Sequence, residues 1–162
     1  MTEQEFWQII ELSWQDSPYL YKKRTKVLET NDEDLLTELS EEVYETITEN
    51  CKNRLQRLDR KALTAFILLS EEKLYKIDRE EIHKFTDGSD DGFLYCRCFI
   101  LGMGEQYFNM IDKEPAKATI DLEAEAFGFA GYEVFEEKFG EEFERNTVCC
   151  IESCSNKEAW SS

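Results

Sequence analysis

From Phe93 to Met110 the apolar residues fall at alternating steps of three and four: Phe93, Cys96, Ile100, Met103, Tyr107, Met110. That spacing follows one face of an α-helix and no face of a strand. The pattern recurs along the chain. Phe6, Ile9, Ile10 and Trp14 follow Thr2 and Glu5, which have the form of a capping box. Ser17 and Pro18 read as an N-cap and a first helical proline, with a helix to about Leu28. Asn31 and the acids after it begin the next start signal, followed by Leu36, Leu39, Val43, Ile47 and Cys51, as one helix to about Arg57 or as two pieces. Leu63, Phe66, Ile67, Leu74 and Ile77 follow Asp59, and a short helix is expected from Asp78 to Lys84. Asp121 is the expected cap of a last helix ending at Phe139, with Gly140 in the C′ place. Two prolines and seven glycines in 162 residues are too few turn formers for an all-β chain. The expectation is an all-α, single-domain bundle of about five to seven helices over residues 1–140. Residues 141–162 read as a polar, cysteine-containing tail, partly flexible.

Charge narrows the partners. With 36 acids against 19 bases the chain carries −17, which repels nucleic acid and anionic membranes. A basic protein partner, or no permanent partner, fits such a surface, and solubility alone is the plainer account of the charge. Residues 121–144 hold nine acids and one base, Lys138, for a local charge of −8. Glu133, Glu136, Glu137 and Glu141 there form the candidate acidic interaction face; a solvated helix face is the plainer account. The cluster Lys22, Lys23, Arg24 and Lys26 reads as an internal salt-bridging face. The N-terminus carries no basic, apolar leader pattern and no long apolar run, so a cytoplasmic protein is expected. In that compartment the six cysteines do not form a disulfide framework.

The stretch Asp87–Phe93, DGSDDGF, has the start of a calcium loop but lacks its end. Cys98 stands where a bidentate carboxylate is required, and a thiol is a poor ligand for a hard cation. A helix start accounts for the residues better. Ser89 can cap, and Asp90 and Asp91 lie where unpaired amides favour anions. Arg97 lies on the apolar side of the following helix and needs a carboxylate, expected from Asp90, Asp91, Glu123 or Glu125. His83 is the single histidine and has no nucleophile motif beside it. Cys149, Cys150 and Cys154 lack a fourth zinc ligand at suitable spacing, so no metal and no cofactor are expected. Gly102 and Gly104, set against Ala124, Gly128 and Gly131, predict a close helix crossing near Gly104.

Ser89–Phe108, SDDGFLYCRCFILGMGEQYF, resembles the signature of a bacterial domain family of unknown function, the one numbered 4240. Ser89, Asp90, Asp91, Gly92, Phe93, Arg97, Gly104 and Tyr107 occupy its places. Phe6–Glu11 is similar to its opening helix, and Gly131–Gly140 to its closing one. Cys96 and Cys98 stand where the family often carries aromatics. The resemblance implies an all-helical cytoplasmic domain and a shared importance for Asp90, Asp91 and Arg97. It implies no reaction.

Two functional readings follow. In the first the chain is an interaction module, in the manner of an acidic immunity or antitoxin-like or regulatory protein that masks a basic partner. In the second it is a ligand-binding protein or enzyme, with Ser89, Asp90, Asp91, Gly92 and Arg97 around a cleft.

Overall fold

The computed structural model describes residues 1–160, among which there are helices and no strand. The α-helices are α1 (Glu3–Gln15), α2 (Pro18–Thr30), α3 (Glu33–Glu42), α4 (Thr48–Leu55), α5 (Arg60–Lys76), α6 (Glu80–His83), α7 (Asp90–Gly102), α8 (Glu105–Lys113) and α9 (Glu125–Phe139). A π-helical turn, Val43–Ile47, joins α3 to α4 without a break. The Thr48 hydroxyl donates to the Val43 carbonyl five residues back, at 2.7 Å, which suits the wider turn.

Local chemistry sets most of the helix ends. Thr2 and Glu5 close the capping box in both directions. Asp59 caps α5 and Ser89 caps α7 through their side chains. Pro18 takes the first position of α2. The cap of α3 is Asp32 rather than Asn31, which instead ends α2 at a left-handed φ of 50°. Asp121 is likewise left-handed, at φ 57°, so it belongs to the turn before α9 and does not cap it.

The centre of the bundle is α7. Gly92, Phe93, Leu94 and Cys96 through Gly102 are buried, so this helix is apolar on nearly every side. It meets α5, α8, α9 and the π-turn, while α1 packs on α2, α4 and α5. Each Phe or Leu in such a core is worth about 1.5–3 kcal/mol against exposure. The stripe from Phe93 to Met110, continuous in sequence, is divided between α7 and α8. The break is at Gly104, with φ 93°. There Trp14 donates to the Gly102 carbonyl at 2.8 Å and Arg24 to the Met103 carbonyl at 3.2 Å, satisfying the end of α7 from outside.

The predicted close crossing exists, but not at Gly104. It lies where Gly128 of α9 abuts Cys98 of α7, and where Gly102 abuts Phe127 and Val43. Gly131 faces Ile67 of α5 instead, and Gly104 faces the Arg24 guanidinium. Beyond Gly140 the chain turns back across the bundle. Ile151 is buried, and the Trp160 ring lies 5.2 Å from His83 and 5.8 Å from Phe93.

Candidate functional site

The start of α7 is a tightly bonded corner. The Ser89 hydroxyl accepts from the Gly92 amide at 3.0 Å. Asp87 accepts from both the Ser89 amide and hydroxyl, and these bonds hold its carboxyl below the usual range. Gly92 leaves room for the Asp87 carboxylate, which a Cβ there would push aside. Asp90 and Asp91 are exposed. Among the described residues no cluster of three His, Cys, Asp or Glu side chains is placed to hold a metal ion.

Arg97 does not meet these acids. It is fully buried, stacked 4.8 Å over the Phe93 ring. Its Nη1 donates to the Leu74 carbonyl at 2.9 Å; its Nη2 donates to the Ile151 carbonyl at 2.9 Å and the Ser153 hydroxyl at 3.1 Å. The nearest acid is Asp78, at 4.0 Å, also fully buried. Burial pulls the guanidinium below its ordinary range, and Asp78 opposes that. The expected partners fail for a geometric reason. Asp90 is two turns away, about 10 Å along the axis, whereas Asp78 and the free carbonyl of Leu74 lie at the end of the neighbouring helix α5.

Asp78 is the second pole of this site. Its carboxylate accepts from the amides of Cys154 at 3.0 Å and Asn156 at 2.9 Å, and from the Trp160 indole at 3.1 Å. The Ser153 hydroxyl donates to the Asp90 carbonyl at 2.6 Å, tying the roof to the first turn of α7. The DGSDDGF motif, the helix it opens and the tail are therefore one structure: Phe93 and Arg97 form the floor, Asp78 one wall, and residues 151–160 the roof. Arg97 is sealed under that roof while Asp90 and Asp91 face outward, so the three side chains do not converge.

The family model described as "Protein of unknown function (DUF4240)" matches residues 1–144. The chain belongs to that family. No curated protein and no solved structure matches it. Within the DUF4240 span lie Asp78, Asp90, Asp91 and Arg97; Ile151, Ser153, Cys154, Asn156 and Trp160, which roof Arg97, lie beyond it.

A second feature of this DUF4240 chain is a groove of about 480 Å³ along α9. Tyr44, Phe129, Tyr132 and Phe143 contribute rings to it; Glu125, Glu133, Glu136 and Glu142 contribute carboxylates. Tyr44 is 47 % exposed and sits on the π-turn. Tyr132 is fixed by donating its hydroxyl to the buried Glu71 at 2.8 Å. Burial raises the Glu71 carboxyl, against the pull of Tyr132 and of the Asn146 amide. Of the acids expected to form an open face, Glu133 pairs with Lys52, Glu137 accepts from Gln56 at 2.9 Å, and Glu141 pairs with Arg60. Among the described residues Glu136 and Glu142 have no cationic partner, and both line the groove.

The basic cluster is a salt-bridging face only in part: among the described residues Lys22 and Lys26 are exposed and form no ion pair. Lys23 pairs with Glu38 at 2.6 Å and Arg24 with Glu11 at 2.5 Å, but Arg24 is also buried, against Trp14. Sequence reasoning missed Asp78 as a site residue. Its signal was its place directly after Ile77 on an apolar stripe. It also missed Ile151 and Trp160, two large apolar residues in a polar tail.

Proposed function

We propose that this protein is an interaction module that receives a basic protein partner on the α9 face. The observation that carries the reading is the aromatic groove with Glu136 and Glu142 unpartnered on its rim. A chain at −17 attracts a cationic protein from a distance, and rings in a groove give that encounter a place to bury apolar surface. The specific form we propose is an acidic immunity or antitoxin-like or regulatory protein that masks its partner, working in the cytoplasm. Its six unpaired cysteines suit a reducing compartment. The rival reading, a ligand cleft of Asp90, Asp91 and Arg97, has no support from the geometry, since Arg97 is sealed and the two aspartates face solvent.

The test is recovery of the tagged full chain from its native cell, followed by native mass spectrometry. A stoichiometric basic protein is expected, retained at low salt and released as the screening length falls below about 8 Å. Charge reversal at Glu136→Lys with Glu142→Lys is expected to abolish its recovery. A partner that survives both high salt and that reversal would overturn the proposal.

A further inference from the structure

We infer that the α9 groove reads an arginine side chain of the basic partner, and that Arg145 is the resident stand-in for it. This rests on the proposed interaction face and gives that face its chemical specificity. The Arg145 guanidinium carbon lies 4.8 Å from the Tyr132 ring centre and 5.2 Å from that of Phe129. The two rings stand edge to face, 5.8 Å apart at 64°, so together they form a corner. A cation over such faces is attracted by the ring quadrupoles. A guanidinium gains more than an ammonium here, because it is planar and more weakly hydrated. The corner is held in advance, since Tyr132 cannot turn without losing its bond to Glu71.

Arg145 itself is held loosely. Its side chain is 47 % exposed; among the described residues its one ion pair is with Glu152, at 3.7 Å and 59 % exposed, and Glu71 adds a longer-range attraction. Exposed pairs of this kind contribute little. A second guanidinium that displaces it replaces the ring contacts Arg145 gives up, so the exchange costs little and the net gain comes from the carboxylates of the groove. The incoming cation would also meet the two carboxylates, Glu136 and Glu142, that have no cationic partner among the described residues. The groove volume, about 480 Å³, is within the range of sites that enclose a ligand. The occupant is thus an arginine presented on an exposed segment of a basic protein.

The experiment uses the full chain and three labelled peptides of one Gly-Ser frame, bearing three arginines, three lysines or three citrullines. Binding is followed by fluorescence anisotropy at low and moderate salt. In Arg145→Met, where the rings are vacant, the arginine peptide is expected to bind about two- to fivefold more tightly than the lysine peptide, the worth of an exposed cation–π contact; in the wild type, where Arg145 surrenders equal contacts, the preference is smaller in the same direction. Arg145→Met is expected to tighten the arginine peptide by a similar factor. Lys113→Met, which removes the same charge at an exposed place away from the groove, is expected to affect arginine and lysine peptides alike. Phe129→Leu is expected to remove the arginine preference and leave salt-dependent attraction. Should that variant fail to fold, Glu136→Gln with Glu142→Gln takes its place and is expected to weaken both cationic peptides. Equal binding of arginine and lysine, with Arg145→Met behaving as Lys113→Met, overturns the arginine site and leaves the acidic face standing. Absence of binding by either cationic peptide at low salt overturns both.

Discussion

Replacing Arg97 by methionine tests what its burial is worth. Methionine keeps an unbranched stem against Phe93 but removes the charge and the donors to Leu74, Ile151 and Ser153. Two carbonyls of the interior then lose a partner, and Asp78 loses its nearest cation. Three hydrogen bonds from a charged donor, at about 1.5–3 kcal/mol each, would sum to more than the true loss. The guanidinium is desolvated in the folded state, and that penalty disappears with it. Asp78 also keeps three donors of its own, from Cys154, Asn156 and Trp160. The expected loss is therefore that of breaking a buried pair, about 3–5 kcal/mol. In urea, with a slope of about 2 kcal/mol per molar, the midpoint falls by about 1.5–2.5 M. Hydrogen exchange supplies the local readout: the amides of Cys154 and Asn156 are expected to lose protection first. Adding Asp78→Asn to Arg97→Met is expected to deepen the loss, since both carboxylate oxygens accept N–H bonds and an asparagine can accept at only one of the two places. A single-variant loss below about 1 kcal/mol, with the tail amides still protected, would refute the reasoning.

Glu71 gives a pH test. Its carboxyl is raised in the folded state by burial, so its stabilising share is complete below the unfolded value of 4.5 and is lost as pH rises through the higher folded value. Urea unfolding of wild type minus Glu71→Gln is expected to show that fall as pH increases; a flat difference counts against it. Gly128→Ala forces a Cβ onto Cys98 and is expected to cost about 1–3 kcal/mol by thermal unfolding, against no loss of native stability if α7 and α9 can slide apart. Gly104→Ala combines φ 93° with the Arg24 contact and is expected to cost about 1–3 kcal/mol, whereas Gly88→Ala meets nothing within 4 Å and should be nearly neutral. Equal melting temperatures for the last two would show that Gly104 is not strained.

The helix signals legible in sequence were those that a few neighbouring residues decide. Thr2 with Glu5, Asp59, Ser89, Pro18 and Gly140 each settle a terminus through contacts within about one turn. The end of α7 was different. Gly102 and Gly104 mark a weak point beside Met103, but the apolar stripe runs on to Met110, and the carbonyls left at the break are met by Trp14 and Arg24, some eighty residues earlier. Arg97 was marked as needing a carboxylate, and that need is a matter of chemistry. Which carboxylate answers it depends on how α5 ends beside α7, and no local spacing contains that. The groove was half visible. The acids of residues 121–144 stand out in the sequence, while no local spacing places Phe129, Tyr132 and Phe143 around a groove, because ring orientation is decided by packing.

The roof over Arg97 has a consequence for how the molecule is made. Ser153 follows Arg97 by 56 residues. A ribosome adding about 5–20 residues per second delivers the arginine about 3–11 seconds before its hydroxyl partner. Through that interval the central helix can collapse against its neighbours only around an unsatisfied charge, or with that charge turned to water. The arrival of Ser153 is then also the step that completes the bonding of the buried charge. Pausing or truncation between the two residues leaves a nascent chain with most of its helices and an open, charged heart.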